Sequence, residues 1–341
     1  MIQEYLAKVV RGEDLTETEA MKAMAAMMEG RSSSVQTAAF LTALRMKGET
    51  VEELTGLATM MRKKALPVSL PLSGAVDTCG TGGDGGRTFN ISTAAAIVAA
   101  AAGVPVAKHG NRAASSRSGS ADVLEALGVP IQLSPAAANA SLKKLNICFL
   151  FAPLFHQGMK AVMPTRRELG YRTCFNLLGP LVHPGKVRYQ LVGVFDPALT
   201  EKIAQVLLAL GTKRALVVAG LDGIDEISPA SATQVSEVKD GKVSTYQIYP
   251  EDLGISRSSL AAIAGGDAQE NAKIIRQIFA GERGPRRDVV VMNAGAVLYL
   301  AGKAPTLSEG VILAAETIDR GAAEAKLKAM IRYGEEKKYV S

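Results

Sequence analysis

Between the apolar stretch Val76-Asp77-Thr78-Cys79 and a helix-like run opening at Asn90-Ile91-Ser92-Thr93 lies Gly80-Thr81-Gly82-Gly83-Asp84-Gly85-Gly86. A loop so short of Cβ atoms can turn its N–H groups inward and approach an anion closely, and the helix start behind it adds partial positive charge. Strand, glycine loop and helix in that order read as a phosphate-binding loop in a soluble α/β enzyme. Taken alone, the glycine cluster fits an empty surface loop equally well; its setting is what favours a ligand. It is neither a Gly-Lys-Ser/Thr loop nor a dinucleotide fingerprint. Asp84 narrows the choice further, because a carboxylate beside phosphates repels them unless a metal ion or a sugar hydroxyl intervenes.

From Val76 onward short apolar segments alternate with helical ones. Val76–Cys79, Val104–Ala107, Val129–Leu133, Ile147–Phe151, Leu191–Phe195 and Ala215–Ala219 are the predicted strands, with helices at Ser92–Ala102 and Ala121–Leu127. The alternation predicts an α/β domain whose central, mostly parallel sheet is covered by helices. A hairpin over Ser236–Tyr249, turning at Asp240-Gly241, joins it, and the chain from Asn271 reads as helical.

The first seventy residues are different. Three capping boxes, Thr16 with Glu19, Ser33 with Gln36 and Thr50 with Glu53, each lead into an apolar pattern and mark three helix starts. Residues 1–70 are therefore predicted as a small all-helical domain, ended by the Pro67–Pro71 linker, and 75–341 as the α/β domain. A segment near 165–180 is expected to complete the helical unit.

Composition bounds the function. With 341 residues, 48% of them hydrophobic, the chain has ample core for a folded protein. The longest apolar run, Ala94–Ala107, is broken by Gly103 and Pro105 and is too short to cross a bilayer. No signal-peptide pattern opens the chain, and the three cysteines (Cys79, Cys148, Cys174) have no metal-knuckle spacing; both point to a cytoplasmic location with reduced thiols. The net charge of +6 invites nucleic acid, but the basic residues are dispersed and aromatics make up only 5%. Anionic metabolites fit that balance as well.

Three further segments carry chemistry. Lys108-His109-Gly110-Asn111-Arg112, with Ser115-Ser116 and Gly119-Ser120 behind it, gathers cations, an imidazole and hydroxyls after the second strand, on the edge where open α/β sheets bind ligands. The three histidines at 109, 156 and 183 do not form the pattern of a metal triad. Asp222-Gly223-Ile224-Asp225-Glu226 is either a solvated turn or a seat for a hard cation bridging to phosphate, and the phosphate loop favours the cation. Arg166-Arg167, ahead of Arg172, suits a substrate carboxylate, although surface ion pairing explains it equally.

Together these blocks resemble the family of anthranilate phosphoribosyltransferases. The resemblance rests on Asp77–Asp84 (DTCGTGGD), Asn90–Thr93, Lys108–Arg112, Ser115–Gly128 (SSRSGSADVLEALG), Phe151-Ala152-Pro153 with His156, Arg166–Leu181, Asp222–Ser228 and Asn293–Ala296. Gln157-Gly158 and Val182-His183-Pro184 depart from the family pattern. Nucleoside phosphorylases share the architecture but differ in the KHGNR and SGSADVLEALG blocks; a catalytically silent nucleic-acid-binding relative is the third possibility. The resemblance implies transfer of the phosphoribosyl group of phosphoribosyl pyrophosphate to the amine of anthranilate, in tryptophan biosynthesis. By the same resemblance Gly80, Gly83, Asp84, Thr88, Asn90, Ile91, Ser92, Thr93, Lys108, Ser116 and Ser120 hold phosphoribosyl pyrophosphate. Gly80, Asn111 and Arg166 contact anthranilate, and Ser92, Asp225 and Glu226 bind Mg2+ (magnesium). Lys108, His109 and Arg166 are the catalytic candidates, with His109 either accepting the released proton or only hydrogen-bonding. The expected partners are the two small substrates and a second copy in a homodimer, with neither nucleic acid nor membrane.

Overall fold

The computed structural model describes residues 2–338 apart from 73, 84, 85, 114 and 115, so the expected ligand Asp84 lies outside the described residues, as does Ser115. Four helices open the chain: α1 (Ile2–Val10), α2 (Glu17–Met28), α3 (Ser34–Lys47) and α4 (Val51–Lys64). The three predicted capping boxes start α2, α3 and α4, each with both reciprocal hydrogen bonds formed. Glu53 does more than cap. Its fully buried carboxylate accepts from Leu15 N–H at 2.9 Å, Thr50 N–H at 2.8 Å and Lys47 Nζ at 2.9 Å, tying the start of α2 to α4. A buried charge is tolerable only when satisfied in this way.

Seven strands form one sheet: β1 (Val76–Gly80), β2 (Val106–Gly110), β3 (Ile147–Phe151), β4 (Tyr189–Gly193), β5 (Arg214–Gly220), β6 (Thr233–Lys239) and β7 (Lys242–Ile248). Their order is β3-β2-β1-β4-β5-β6-β7; the first five run parallel and the last two are antiparallel. The predicted hairpin is β6–β7, and its turn residues Asp240 (φ 50°) and Gly241 (φ 74°) both take the left-handed conformation that a tight two-residue hairpin needs.

The remaining helices are α5 (Ile91–Ala101), α6 (Ser120–Ala126), α7 (Pro135–Leu145), α8 (Ala152–Phe155), α9 (Met163–Leu169), α10 (Phe175–Leu181), α11 (Thr200–Ala209), α12 (Ala268–Phe279), α13 (Pro285–Leu300), α14 (Leu307–Asp319) and α15 (Ala322–Lys338). Side-chain alternation along β5 assigns them to two layers. Leu216 and Val218 face a core built with α5 and α13–α15, whereas Ala215, Val217 and Ala219 face one built with α11. That second core continues without a break into α2 and α4, and takes in Cys174–Val182 as well. The segment containing α9 and α10 thus packs against the N-terminal helices.

Three strand predictions are corrected, the simplest being Leu191–Phe195, which runs Tyr189–Gly193 instead. Val129–Leu133 is not a strand but an irregular buried link between α6 and α7. Pro130 has no N–H to donate to a ladder, and β2 pairs directly with β3, so the sheet has no slot for it. Apolar burial there is against α15, whose Gly334 faces the Pro130 ring. The second strand runs Val106–Gly110 instead of Val104–Ala107, because Pro105 contributes only its carbonyl, which accepts from Val76 N–H at 2.9 Å. Lys108 and His109 therefore sit inside a strand, with side chains on opposite faces, and do not follow it.

Candidate active site

The chain goes from β1 to β2 and β3 on one side, then returns to place β4 on the other side of β1. The carboxyl ends of β1 and β4 are the point where successive connections part, and a crevice opens there in sheets of this kind. Gly80 and Gly193 are paired across it. Gly193 leaves no room for a side chain, and at Gly80 one would have to push the Asp225 carboxylate aside. A Cβ on Gly193 would fall 1.7 Å from the Asp225 carbonyl oxygen, and one on Gly80 would fall 2.4 Å from Asp225 Oδ2.

Asp225 and Glu226 follow β5 and reach into this crevice. Asp225 Oδ2 accepts from Gly82 N–H at 2.9 Å, and Glu226 Oε1 accepts from Ser92 N–H at 3.1 Å, in the first turn of α5. These are the donor types that suit an anionic ligand: a glycine-loop N–H and a helix-start N–H. On the other side of the loop, Arg172 Nη2 donates to Gly82 O at 3.0 Å while its guanidinium lies 4.0 Å from the Phe195 ring centroid. Burial lowers the Arg172 pKa, and the nearby Asp225 charge opposes that shift. A Cβ on Gly83 would meet the same guanidinium at 2.3 Å, and Gly83 itself has φ 119°. The sequence had not singled out Arg172 as a loop anchor.

Of the expected ligands on the β1–α5 connection, Ser92 is tied to this crevice by its N–H bond to Glu226, and the others are held as follows. Thr88 forms an antiparallel bridge with Ala264. Asn90 stands before α5 but does not cap it; its side chain is given to Ser118 and Asn271. Ile91 is core, offering only its backbone, and the buried Thr93 Oγ1 has no partner among the described residues. Ser116 Oγ donates to Ser118 O at 3.5 Å and Ser120 Oγ to Asn111 O at 3.3 Å, closing the turn after β2. Asn111 is exposed, its Oδ1 accepting from Arg112 N–H at 2.8 Å.

β1 and β2 pair only at Val76 and Val106, and side chains bridge the gap beyond. Asp77 Oδ1 accepts from His109 N–H at 3.0 Å. Burial drives the Asp77 carboxyl up to about 7, against the pull of Lys108 and of the His109 N–H. Lys108, 4% exposed, points its Nζ at Thr78 O, with Thr78 Oγ1 at 3.3 Å and Ser92 Oγ at 3.4 Å. It reaches the ligand edge through Ser92. His183 Nδ1 accepts from Gly185 N–H at 3.1 Å, which leaves its Nε2 protonated to donate to Ala107 O at 2.8 Å.

All three histidines are brought together. The His109 ring centroid is 5.3 Å from that of His156 and 5.7 Å from that of His183, and all are buried. Burial, then the two neighbouring rings, hold His109 well below the ordinary imidazole range. Burial disfavours charging the ring, and neither His109 ring nitrogen has a hydrogen-bond partner among the described residues. Arg166, half-buried on α9, lies 4.8 Å from the Phe175 ring centroid and has no carboxylate partner among the described residues. A desolvated guanidinium stacked on an aromatic ring is suited to a planar external carboxylate.

Among the described residues no three His, Cys, Asp or Glu side chains are grouped to hold a metal by themselves. The Asp225–Glu226 pair beside Ser92 nevertheless fits a cation that takes one or two carboxylates, keeps waters and is completed by substrate phosphates.

Two family models match: the helical bundle domain of a glycosyl transferase family over residues 3–65 and its a/b domain over residues 72–324. An anthranilate phosphoribosyltransferase of Brevibacillus brevis is 53% identical over 328 residues, 96% of each chain. The crystal structure of anthranilate phosphoribosyltransferase from Thermus thermophilus superposes with a TM-score of 0.92 at 44% identity, covering 97% of this chain and 99% of that one. The Saccharomyces cerevisiae enzyme in complex with phosphoribosyl pyrophosphate and Mg gives a TM-score of 0.90 at 29% identity over 98% of both chains. The same yeast enzyme is also known in complex with 4-fluoroanthranilate, with a TM-score of 0.88.

Proposed function

The chain belongs to the anthranilate phosphoribosyltransferases, and from that premise we propose how its residues share the work. The enzyme transfers the phosphoribosyl group of phosphoribosyl pyrophosphate to the amine of anthranilate, releasing pyrophosphate, in tryptophan biosynthesis. A carbon–oxygen bond at the ribose breaks and a carbon–nitrogen bond forms, so negative charge grows on the leaving group while the amine loses a proton.

The observation that carries the assignment is the meeting of the glycine loop, the start of α5 and the Asp225–Glu226 pair at one sheet edge. The loop N–H groups from Gly80 to Gly83, with Asp84, Thr88, Asn90–Thr93, Ser116 and Ser120, hold phosphoribosyl pyrophosphate. Lys108 braces Ser92 and adds positive charge behind the leaving group. Asp225, Glu226 and the Ser92 hydroxyl hold Mg2+, which when bound would neutralise pyrophosphate oxygens. Support comes from the yeast counterpart solved with phosphoribosyl pyrophosphate and Mg.

Anthranilate is held by Gly80, Asn111 and Arg166, with Arg166 on its carboxylate. An aryl amine is already neutral at pH 7 and needs positioning more than activation, in keeping with a neutral His109. Residues 1–70 with 165–180 form one unit that closes on the α/β unit of 75–341 when both substrates are bound. Arg172, reaching from the first unit to Gly82 of the second, is one contact such a closure would carry. Val10, Val35 and Met46, exposed on α1 and α3, support a homodimer through this face, which sedimentation at micromolar concentration tests. The free thiols of Cys79, Cys148 and Cys174 support a cytoplasmic location, and cell fractionation tests it.

The deciding assay follows anthranilate fluorescence. Consumption is expected only when phosphoribosyl pyrophosphate and magnesium are both present, and no consumption at high enzyme concentration sinks the assignment.

A further inference from the structure

Asn271 lies on α12, 181 residues from Asn90, and is 1% exposed. Its Oδ1 accepts from Gly266 N–H at 2.8 Å and its Nδ2 donates to Asn90 Oδ1 at 2.9 Å. Asn90 Nδ2 in turn donates to Ser118 O at 3.0 Å, and Ser118 Oγ donates to Asn90 Oδ1 at 3.2 Å. The two ends of this chain are main-chain groups that cannot reverse: an N–H at Gly266 is only a donor, and a C=O at Ser118 only an acceptor. They fix both amides between them. Asn271 must turn its oxygen to Gly266, so its nitrogen meets Asn90, so the Asn90 oxygen faces Asn271 and the Asn90 nitrogen faces Ser118.

One Asn90 Nδ2 hydrogen then has no partner among the described residues. The same segment is laced to the loop exit by a second route. Gly265 N–H donates to Arg87 O at 3.2 Å, and a Cβ on Gly265 would fall 2.5 Å from Phe89 N. Asn90 is thus gripped from α12 in a set orientation and relieved of capping α5.

We propose that Asn271 is a positioning residue that sets the polarity of Asn90, so that Asn90 presents an N–H donor, and not its oxygen, to the anionic groups of phosphoribosyl pyrophosphate. This rests on the assignment of Asn90 to that substrate. A reversed Asn90 amide would offer an acceptor to a phosphate oxygen and exchange attraction for repulsion.

Calorimetric titration of the full chain with phosphoribosyl pyrophosphate and magnesium tests it. Asn271→Asp is nearly isosteric and keeps the acceptor for Gly266 N–H, but it removes the donor to Asn90 and invites Asn90 to reverse. Its affinity is expected to fall about tenfold or more, the loss of one hydrogen bond to a charged group, with KM for anthranilate unchanged. Asn271→Ala leaves Asn90 held by Ser118 alone and should lose less. In an Asn90→Ala background Asn271→Asp should cost nothing further, which separates the relay from simple charge repulsion. Wild-type affinity for Asn271→Asp, or a loss that persists with Asn90→Ala, overturns the relay while leaving the substrate assignment intact. Wild-type affinity for Asn90→Ala overturns the assignment itself. Should Asn271→Asp fail to fold, a several-fold loss for Asn271→Ala with unchanged anthranilate KM supports the relay, and no loss overturns it.

Discussion

Asp225 Oδ2 sits 2.9 Å from the N–H of Gly82, so a carboxylate assigned to magnesium here occupies a donor assigned to phosphate. Glu226 stands in the same relation to Ser92 N–H, at 3.1 Å. The protein's own acids thus occupy the N–H groups that an anion would use. Removing one should therefore act on metal and substrate together. Asp225→Asn keeps the side-chain shape but loses the charge, and the magnesium concentration for half-maximal rate is expected to rise about tenfold or more, with kcat/KM for phosphoribosyl pyrophosphate falling with it. Rates measured across a magnesium series decide the matter; an unchanged magnesium midpoint would remove Asp225 from the metal site.

Arg166 makes the complementary case for the acceptor. Its guanidinium is half-buried, stacked on Phe175 and without an acid partner among the described residues, so its removal leaves no buried carboxylate stranded. Arg166→Ala is expected to raise KM for anthranilate by about tenfold to a hundredfold, the worth of a charge-assisted hydrogen-bonded pair, with little change for phosphoribosyl pyrophosphate. Arg166→Lys should recover only part, since a point charge cannot reproduce the planar fork. Equal losses for both substrates would refute the assigned role.

The local parts of the fold were legible because local chemistry sets them. The boxes at Thr16, Ser33 and Thr50 are satisfied within four residues, and the Asp240-Gly241 turn within two, so each could be read in place. Val129–Leu133 was misread because burial and ladder pairing leave the same apolar trace, and only the neighbouring strands decide between them. What the structure brings together at the crevice was legible where a motif carries its own donors and acids, as at Gly82, Ser92 and Asp225–Glu226. Arg172, Gly193 and Asn271 were not. Each acts across the fold on a residue far away in sequence, and nothing around it marks the partner.

Gly193 offers a test of how tightly the crevice is built. It lies mid-sheet, where alanine would ordinarily be harmless or mildly stabilising, yet a Cβ would fall 1.7 Å from the Asp225 carbonyl oxygen. That obstacle is backbone and cannot rotate away, so the Asp225–Glu226 turn must shift. Gly193→Ala is expected to lower kcat/KM for phosphoribosyl pyrophosphate about a hundredfold, the scale of a 1 Å misplacement of a working group. Far-ultraviolet circular dichroism should stay near wild type, because the strands on either side keep their pairing. Activity within about twofold of wild type would show that the turn tolerates displacement.

The buried histidines give the protein an acid-sensitive core. Burial lowers His183 to about 3 and His156 to about 4 from the ordinary 6.5. In the unfolded chain both take up a proton as pH falls through about 6.5, whereas in the folded chain they stay neutral until far lower pH. The folded pKa values are depressed, so the stabilising contribution is fully present above about 6.5 and is lost as pH falls toward 4. Within that window each histidine adds a slope of about 1.4 kcal/mol per pH unit to the unfolding free energy. His183→Asn can still accept from Gly185 N–H but is too short to reach Ala107 O, and it does not titrate, so the two proteins are compared by the pH dependence of their stability and not by its absolute value. Urea unfolding at pH 6.5 and 4.5, compared between wild type and His183→Asn, should show a shallower pH dependence for the variant by about one such slope. Equal pH dependence in the two proteins would mean that His183 gains solvent access before the fold is lost.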